Sequence, residues 1–268
     1  MPRSAPPTPC TTTFGTAQVI VHNSESSMAA AAAHDAAALI EAAQASRGHA
    51  RIMVGTGNSQ LALISSLTRR GVVDWQRVTV FHMDEYVGIA PNHPASFRNW
   101  LRVRVAEKCH PAAVHYMAGD AVTIQAEIQR YSELLAAGPL DVAFVGFGEN
   151  GHIAFNDPPS ADFSDQAVVK VVTLDEACRR QQVGEGHFKD VASVPTRALT
   201  VTCSALFAAR AWICCVPERR KAAAVRTALE GPISTACPAS IVRRHPNARV
   251  FLDPDSAALL SLPADQPA

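Results

Sequence analysis

Residues 141–159 read D-V-A-F-V-G-F-G-E-N-G-H-I-A-F-N-D-P-P, and this stretch decides the fold expected for the chain. Residues 141–145 are mostly apolar, which is typical of a buried strand in a parallel sheet, although periodicity alone leaves a helix open. The glycines that follow permit sharp turns and a close approach of a ligand to the backbone. Open α/β sheets bind ligands at the carboxyl ends of their strands, so the polar residues here are candidates for a site. They are Glu149, Asn150, His152, Asn156 and Asp157.

A second strand ends in a glycine-rich turn. Residues 51–54 predict a short strand, residues 55–59 read G-T-G-N-S, and residues 60–68 predict a helix. Backbone N–H groups in such a turn and the start of the helix both favour an anion. The turn matches neither the G-x-G-x-x-G fingerprint nor a P-loop. Taken alone, it also fits an ordinary βα turn with a serine cap.

A third strand, predicted at residues 77–82, ends in M-D-E-Y at residues 83–86. In isolation, Asp84 and Glu85 fit a solvated turn or a helix cap, because structural carboxylates are common. Their position after a strand makes them candidates for the same edge of the sheet as the other two turns.

Strands and helices alternate along the chain, which predicts an α/β fold with a mostly parallel sheet and helices on both faces. Residues 1–13 are rich in Pro, Ser and Thr and predict a flexible N-terminal arm, followed by a single domain at residues 14–268. The remaining strands are predicted at 17–22, 167–174, 198–203, 211–216 and 249–252. The remaining helices are predicted at 24–44, 95–108, 121–136, 175–182 and 218–229, with a loop at 183–195.

The composition of the 268-residue chain excludes several classes of protein. Hydrophobic residues make up 48% and charged residues 18%, which predicts a sizeable core and argues against global disorder. Lys plus Arg and Asp plus Glu number 24 each, so no nucleic-acid partner and no membrane partner is expected. Seven cysteines without a C-x-x-C pair indicate reduced thiols of a cytoplasmic protein. No apolar run reaches transmembrane length, and the first residues lack a signal-peptide core.

Three strings together resemble the glucosamine-6-phosphate deaminase (isomerase) family, whose relatives include the 6-phosphogluconolactonases. They are G-T-G-N-S at 55–59, F-H-M-D-E-Y-V-G at 81–88 with H-P-A-S-F at 93–97, and G-E-N-G-H-I-A-F-N at 148–156. The resemblance extends roughly over residues 17–260. The M-D-E-Y-V-G and G-H-I-A-F-N strings are its specific part, since the lactonases are expected to keep a D-G-H without the I-A-F-N.

This resemblance implies a single α/β domain with a Rossmann-like three-layer fold. It also implies the conversion of glucosamine 6-phosphate and water to fructose 6-phosphate and ammonia, without a cofactor. By resemblance, Asp84 is the base that takes the C2 proton, and partial burial would raise its pKa towards neutrality. His152 is the acid/base that opens the sugar ring, because imidazole titrates near neutral pH, and Asp157 orients it.

Two positions depart from the pattern of the family. Asn150 stands where the family commonly has Asp, and an amide can hold His152 or a sugar hydroxyl but cannot take a proton. Asp157 is the shorter counterpart of a family Glu. Ring opening is therefore expected to rest on His152 with Asp157, helped by Glu149.

The resemblance implies which residues hold the substrate. The turn at 55–59 and Lys221 would bind its phosphate. An arginine that the family often supplies before the strand at 198–203 is replaced by His187, and Arg179 or Arg180 are candidates to compensate. The full set of implied substrate-binding positions is Thr56, Gly57, Asn58, Ser59, Glu85, Gly151, His187 and Lys221.

Alternative interpretations stay open at this point. A lactone hydrolase needs a water-activating base but no C2 proton abstraction, so the complete M-D-E-Y string argues against it. A weakly catalytic sugar-phosphate sensor is kept open by Asn150. The histidines lack metal-ligand spacing, so no metal is expected. Lys170 is the one candidate for an effector site, and a single candidate argues weakly against allostery. The preferred amino-sugar epimer and a homo-oligomeric state are left open by the sequence.

Overall fold

The structure, a computed structural model, describes residues 9–262 and is built on two sheets. The strands are β1 Cys10–Phe14, β2 Ala17–Val21, β3 Ala50–Val54, β4 Val78–His82, β5 Asp84–Tyr86, β6 Ala113–His115, β7 Val142–Val145, β8 Val169–Thr173, β9 Arg197–Val201, β10 Trp212–Val216 and β11 Ala248–Leu252. The larger sheet has eight strands in the order β1-β2-β11-β10-β7-β3-β4-β6. All neighbours in it pair parallel except β1 and β2, so the mostly parallel sheet is confirmed.

Helices cover both faces of this sheet. They are α1 Glu25–Arg47, α2 Leu61–Arg69, α3 Phe97–Leu101, α4 Glu107–Cys109, α5 Ile124–Ala136, α6 Glu176–Gly184, α7 Cys203–Phe207 and α8 Ala222–Glu230. A π-helical turn, Arg102–Ala106, joins α3 to α4 where one continuous helix was expected. Ser24 caps α1 by accepting a hydrogen bond from the Ser27 amide. Within residues 9–262, none of the helices combines the length and apolarity needed to cross a bilayer.

The central strand β7 is buried from end to end, which explains its nearly continuous apolar sequence. Val142 and Phe144 pack into the cluster formed with α1 and α2. Ala143 and Val145 point to the opposite face and pack with residues of α5, α7 and α8. The predicted three-layer arrangement is therefore confirmed.

The sheet reverses its strand order between β3 and β7. From β3 the chain adds β4 and β6 on one side, and from β7 it adds β10 and β11 on the other. The carboxyl ends of β10, β7, β3 and β4 therefore lie next to one another at a topological switch point. Such points are where open α/β sheets bind ligands, and the three turns selected from the sequence all lie there.

A second, antiparallel sheet has the strand order β5-β9-β8 and was not expected. The strands predicted at 167–174 and 198–203 do form, but they pair with each other, and the second also pairs with the M-D-E-Y segment, rather than with the parallel sheet. Asp84 lies opposite Thr200, and Tyr86 opposite Ala198. The side chains of Tyr86 and Ala198 help form a separate small core.

The predicted N-terminal arm needs a correction. Residues 10–13 belong to β1, which pairs antiparallel with β2 through a turn at Gly15, where φ is +61°. The side chains of β1 alternate between partly buried and exposed, which is typical of a strand with one face against the protein. The Pro/Ser/Thr-rich composition did not reveal this alternation. Residues 1–8 of the predicted arm lie outside the described part of the chain, and residue 9 lies in no helix or strand. The strand β6 was also missed, since it is only three residues long.

The turn after β3 has no room for a side chain at Gly55. Its amide donates to the Phe144 carbonyl oxygen at 3.0 Å, and a Cβ at position 55 would lie 2.7 Å from that same oxygen. Gly55→Ala should push β3 and β7 apart at the switch point. We expect the free energy of unfolding, measured by urea titration, to fall by on the order of 1–3 kcal/mol.

Gly184→Ala is the matched control. A Cβ at Gly184 would meet no atom within 4 Å, and the residue ends α6. This variant should keep the parent stability or gain up to about 1 kcal/mol, since alanine restricts the unfolded chain. Equal losses in the two variants would contradict the packing argument for Gly55.

Candidate active site

A cleft opens at the switch point and encloses about 540 Å³, part of which is open to solvent. Segments that follow β3, β4, β7 and β10 line it, together with residues of α3 and α6. The predicted site residues that line it are Thr56, Gly57, Ser59, Asp84, His152 and Lys221. The other predicted site residues lie behind or beside this lining: Asn58, Glu85, Asn150, Gly151, Asp157 and His187.

One end of the cleft, called here the Lys221 end, is formed by Thr56, Gly57, Ser59 and Lys221. The turn leaves β3, enters a single 3₁₀ turn at Asn58–Gln60, and continues as α2. Backbone amides at such a helix start can donate to an anion. The side chain of Lys221 is only 3% exposed, and burial is the main reason that its pKa is lowered. This end therefore offers a buried cation beside a turn suited to an anion.

The two arginines proposed for this end are directed elsewhere, and His187 contacts a carboxylate of the protein. Arg179 donates to the carbonyl oxygens of Val191 and Val194, and Arg180 pairs with Glu176 on the surface of α6. His187 lies 3.4 Å from a carboxylate oxygen of Glu185. Neither arginine reaches the cleft, so their suggested compensation for the missing family arginine does not occur in this structure.

Asp84 lines the middle of the cleft and is 7% exposed. Burial, and then the neighbouring charge of Glu85, raise the pKa of Asp84 to about 8, while a hydrogen bond from Thr56 opposes the shift. The Thr56 hydroxyl lies 3.5 Å from Asp84 Oδ1, at the limit for a hydrogen bond. A carboxylate with such a pKa exchanges a proton near neutral pH, which suits a general base.

Glu85 is fully buried and turned away from the cleft. Its oxygens accept hydrogen bonds from the Ser96 hydroxyl at 2.6 Å and from the amides of Phe97 at 3.2 Å and Arg98 at 3.0 Å. The Arg98 guanidinium lies 3.4 Å away. The carboxylate thus ties β5 to the start of α3, and its suggested contact with substrate has no geometric support.

His152 is held from behind by two side chains. Its Nδ1 lies 2.8 Å from Asn150 Oδ1 and 3.1 Å from Asp157 Oδ1. Asn150 Nδ2 in turn donates to Asp157 Oδ1 at 3.0 Å. Burial alone would raise the pKa of Asp157, but the hydrogen bond and charge of His152 and the amide of Asn150 lower it overall. Asn150 and Asp157 are therefore positioning residues for the imidazole.

Two glycines make room for this arrangement. A Cβ at Gly148 would lie 2.2 Å from the His152 ring, so only glycine allows the ring to pack over this backbone. Gly151 has φ of +82°, and a Cβ there would lie 2.5 Å from Cys237 Sγ. Gly151 thus serves the turn, and its suggested substrate contact is not seen in the lining of the cleft.

Three side chains place potential metal-ligand atoms within 4.8 Å of one another: His152, Asp157 and Cys178. The imidazole nitrogen and the carboxylate oxygen are already joined by a hydrogen bond. Burial, and then the charge of Asp157, raise the pKa of the Cys178 thiol well above its usual value. The carboxylate and the imidazole of this group therefore already have partners within the protein.

The sequence analysis missed the contribution of α6. Gln181, Gln182 and Glu185 line the cleft, and no motif marks them. Gln181 accepts a hydrogen bond from the Glu149 amide, and Gln182 accepts one from the Tyr86 hydroxyl. Only the G-E-G string around Glu185 offered a signal, since glycines on both sides of a charged residue are typical of a turn.

A sequence profile for the family described as glucosamine-6-phosphate isomerases/6-phosphogluconolactonase matches residues 23–251. The glucosamine-6-phosphate deaminase of Arthrobacter sp. (strain FB24) is 35% identical over 233 residues, which cover 85% of this chain and 88% of that protein. The glucosamine-6-phosphate deaminase of Exiguobacterium sibiricum is 33% identical over 210 residues, which cover 78% of this chain and 81% of that protein.

Solved structures show the same fold. A monomeric glucosamine-6-phosphate deaminase superposes with a TM-score of 0.81 at 28% identity, over 90% of this chain and 99% of that one. The 6-phosphogluconolactonase of Trypanosoma brucei superposes with a TM-score of 0.75 at 21% identity, over 93% of this chain and 100% of that one. At that lower identity the likeness concerns the fold alone.

The raised pKa of Asp84 predicts a pH-dependent loss of stability. In the unfolded chain this carboxyl titrates near pH 4, whereas in the folded protein its pKa is raised to about 8. The folded state therefore binds more protons between these values, and stability falls as pH rises through that window. Asp84→Asn removes the penalty. We expect a gain in the free energy of unfolding that is small at pH 4 and reaches on the order of a few kcal/mol at pH 8.

Asp255→Asn, at an exposed surface position, is the control and should shift stability little at any pH. The measurement is thermal or urea unfolding of both variants between pH 4 and pH 8.5. If the gain in the free energy of unfolding for Asp84→Asn were the same at every pH in this range, ionisation of the Asp84 carboxyl would carry no cost in the folded protein.

Proposed function

The chain belongs to the glucosamine-6-phosphate isomerase/6-phosphogluconolactonase family, and we propose that it deaminates an amino-sugar phosphate, converting glucosamine 6-phosphate and water to fructose 6-phosphate and ammonia. The observation that carries the proposal is the single cleft shared by Asp84, His152 and the Lys221 end. A carboxyl with a pKa of about 8 and a firmly held imidazole are the two proton-transfer groups that this reaction needs.

Ring opening is assigned to His152. The ring form reacts when a proton leaves the anomeric hydroxyl and another reaches the ring oxygen. A single imidazole can carry out both transfers, since its nitrogen accepts and returns a proton near neutral pH. Asp157 and Asn150 hold Nδ1 on the far side, so the opposite nitrogen remains for this exchange.

Isomerisation is assigned to Asp84. Its carboxylate takes the C2 proton of the open-chain sugar, and a proton is then delivered to C1. The C2 amine becomes an imine, water adds to that carbon, and ammonia leaves with the ketose phosphate as the second product. Burial keeps bulk water from competing for the carboxylate, and its pKa near 8 gives the base enough strength to act.

Substrate placement is assigned to the Lys221 end. The phosphate would lie against the turn formed by Thr56, Gly57 and Ser59, with the Lys221 ammonium as its counter-charge. Asn58 contributes indirectly, because its side-chain amide donates to the carbonyl oxygen of Glu185 at 3.1 Å rather than facing the cleft.

Ammonia release from glucosamine 6-phosphate tests the proposal directly, with acid release from 6-phosphogluconolactone as the comparison. We expect the parent protein to release ammonia and fructose 6-phosphate and to leave the lactone at its spontaneous rate. Turnover of the lactone without ammonia release would assign the chain to the lactonases, and turnover of neither substrate would favour a sugar-phosphate sensor.

Asp84→Asn should separate binding from chemistry. The amide is nearly isosteric but cannot take the C2 proton, so kcat should fall by about 10²–10⁴ with KM close to the parent value. Exchange of the C2 hydrogen with deuterated water, followed by NMR on the sugar phosphate, should fall equally. Exchange at the parent rate would exclude Asp84 as the base.

His152→Gln should affect the ring form of the substrate most. Turnover of the cyclic amino sugar requires ring opening, whereas exchange of a C1 hydrogen of the open-chain ketose phosphate, supplied with ammonia, needs only the proton transfer between C1 and C2. We expect the first rate to fall by about 10²-fold or more and the second to fall much less. Equal losses in both assays would argue against this division of roles.

A further inference from the structure

The Lys221 end of the cleft contains a carboxylate that the proposed reaction does not use. Glu185 follows the last residue of α6, and its side chain is 6% exposed. Gln181 Nε2 donates to Glu185 Oε1 at 2.8 Å, and Lys221 Nζ lies 3.8 Å from the same oxygen. Arg220 Nη2 lies 3.5 Å from it. The buried cation that would hold a phosphate is thus already paired with an anion of the protein itself.

The charges around Lys221 disfavour the binding of an anion in addition to Glu185. Arg220 lies between Glu185, Glu149 at 3.2 Å and Glu218 at 2.6 Å. Together with Lys221, this makes two cations against three carboxylates. Burial alone would raise the pKa of Glu185, but His187, Lys221, Gln181 and Arg220 together lower it to about 2, so the carboxylate is charged at neutral pH.

The backbone around Glu185 is held by hydrogen bonds, because the Glu185 amide donates to Gln181, the Gly186 amide donates to Val183, and Asn58 Nδ2 donates to the Glu185 carbonyl oxygen. Gly184 precedes it and Gly186, with φ of +81°, follows it, and a Cβ at either glycine would meet no atom within 4 Å. Neither glycine is therefore required for packing. With open space at both flanking glycines, the Glu185 side chain can turn its carboxylate away from Lys221 while the backbone stays in place.

We propose that Glu185 is a specificity-determining residue that occupies Lys221 in the free protein and yields it to the phosphate of the substrate. The assignment rests on the proposed function, which places the phosphate at the Lys221 end. An incoming phosphate dianion carries more charge and more acceptor atoms than the carboxylate it replaces, so the exchange favours it. A ligand with one carboxylate gains nothing by the same exchange, and an uncharged sugar cannot displace Glu185.

The test uses the full-length protein with Glu185→Gln, which keeps the shape and removes the competing charge. We expect KM for glucosamine 6-phosphate to fall by about tenfold or more, because the phosphate no longer has to displace a carboxylate from Lys221, with kcat changed far less. The dissociation constant for inorganic phosphate, measured by calorimetry, should fall by a similar factor. An unchanged or raised value in either measurement overturns the proposal.

Glu176→Gln is the matched control, because it makes the same chemical change on the same helix at a side chain that is 67% exposed. Its KM should stay within about twofold of the parent value. Glu185→Ala serves as a second variant, and thermal unfolding establishes that each variant is folded. Glu185→Ala should also bind inorganic phosphate more tightly than the parent, and weaker binding by this folded variant overturns the proposal.

The double variant Glu185→Gln with Lys221→Ala locates the effect. Because Glu185 acts by competing for Lys221, its removal should bring little gain once the lysine is absent, and the two changes should be strongly non-additive. An undiminished gain in the double variant contradicts the competition. If the parent protein releases no ammonia, the proposed function fails, while the phosphate calorimetry on the same variants still decides the role of Glu185.

Discussion

The parallel pairing of β3 with β7 is the contact on which the site depends. Ile52, Met53 and Val54 lie opposite Val142, Ala143 and Phe144, and the ladder continues into the turn through the bond from Gly55 to Phe144. Both strands are buried on both faces, so the hydrophobic effect stabilises this register strongly. Because the strand order reverses between them, two glycine-rich turns leave the sheet side by side and leave space for a ligand.

Adjacent carboxylates at 84 and 85 show how one strand serves both structure and chemistry. Successive side chains of a strand point to opposite sides, so Asp84 faces the cleft while Glu85 faces the start of α3. Backbone amides and Arg98 stabilise the buried Glu85, and its charge helps raise the pKa of Asp84. The residue that fastens the second sheet therefore also tunes the proposed base.

The sequence predicted the parallel sheet and the three turns that form the cleft, because short apolar strands and glycine-rich strand ends are local signals. It did not predict the second sheet, because the pairing of Asp84 with Thr200 joins segments far apart in the chain. Local patterning cannot choose between a parallel neighbour and an antiparallel one when both bury the same residues. The position of Glu185 was hidden for a similar reason. Its partners Lys221 and Arg220 come from a different strand end, and only the folded sheet brings them to α6.

The amide at position 150 bears on how His152 can work. Asn150 Nδ2 donates a hydrogen bond to Asp157, and this bond directs the Asn150 Oδ1 towards the imidazole. The same Asn150 oxygen also accepts a hydrogen bond from the His152 backbone amide. Both groups facing Nδ1 are acceptors, so this nitrogen carries the hydrogen and the lone pair lies on Nε2. A second carboxylate at position 150 would accept in the same direction but could not also donate to Asp157, and two buried like charges would repel each other. The amide therefore preserves the orientation and tautomer of the histidine while it removes one charge from the site. In the proposed mechanism, the proton that opens the sugar ring is then left to His152 alone.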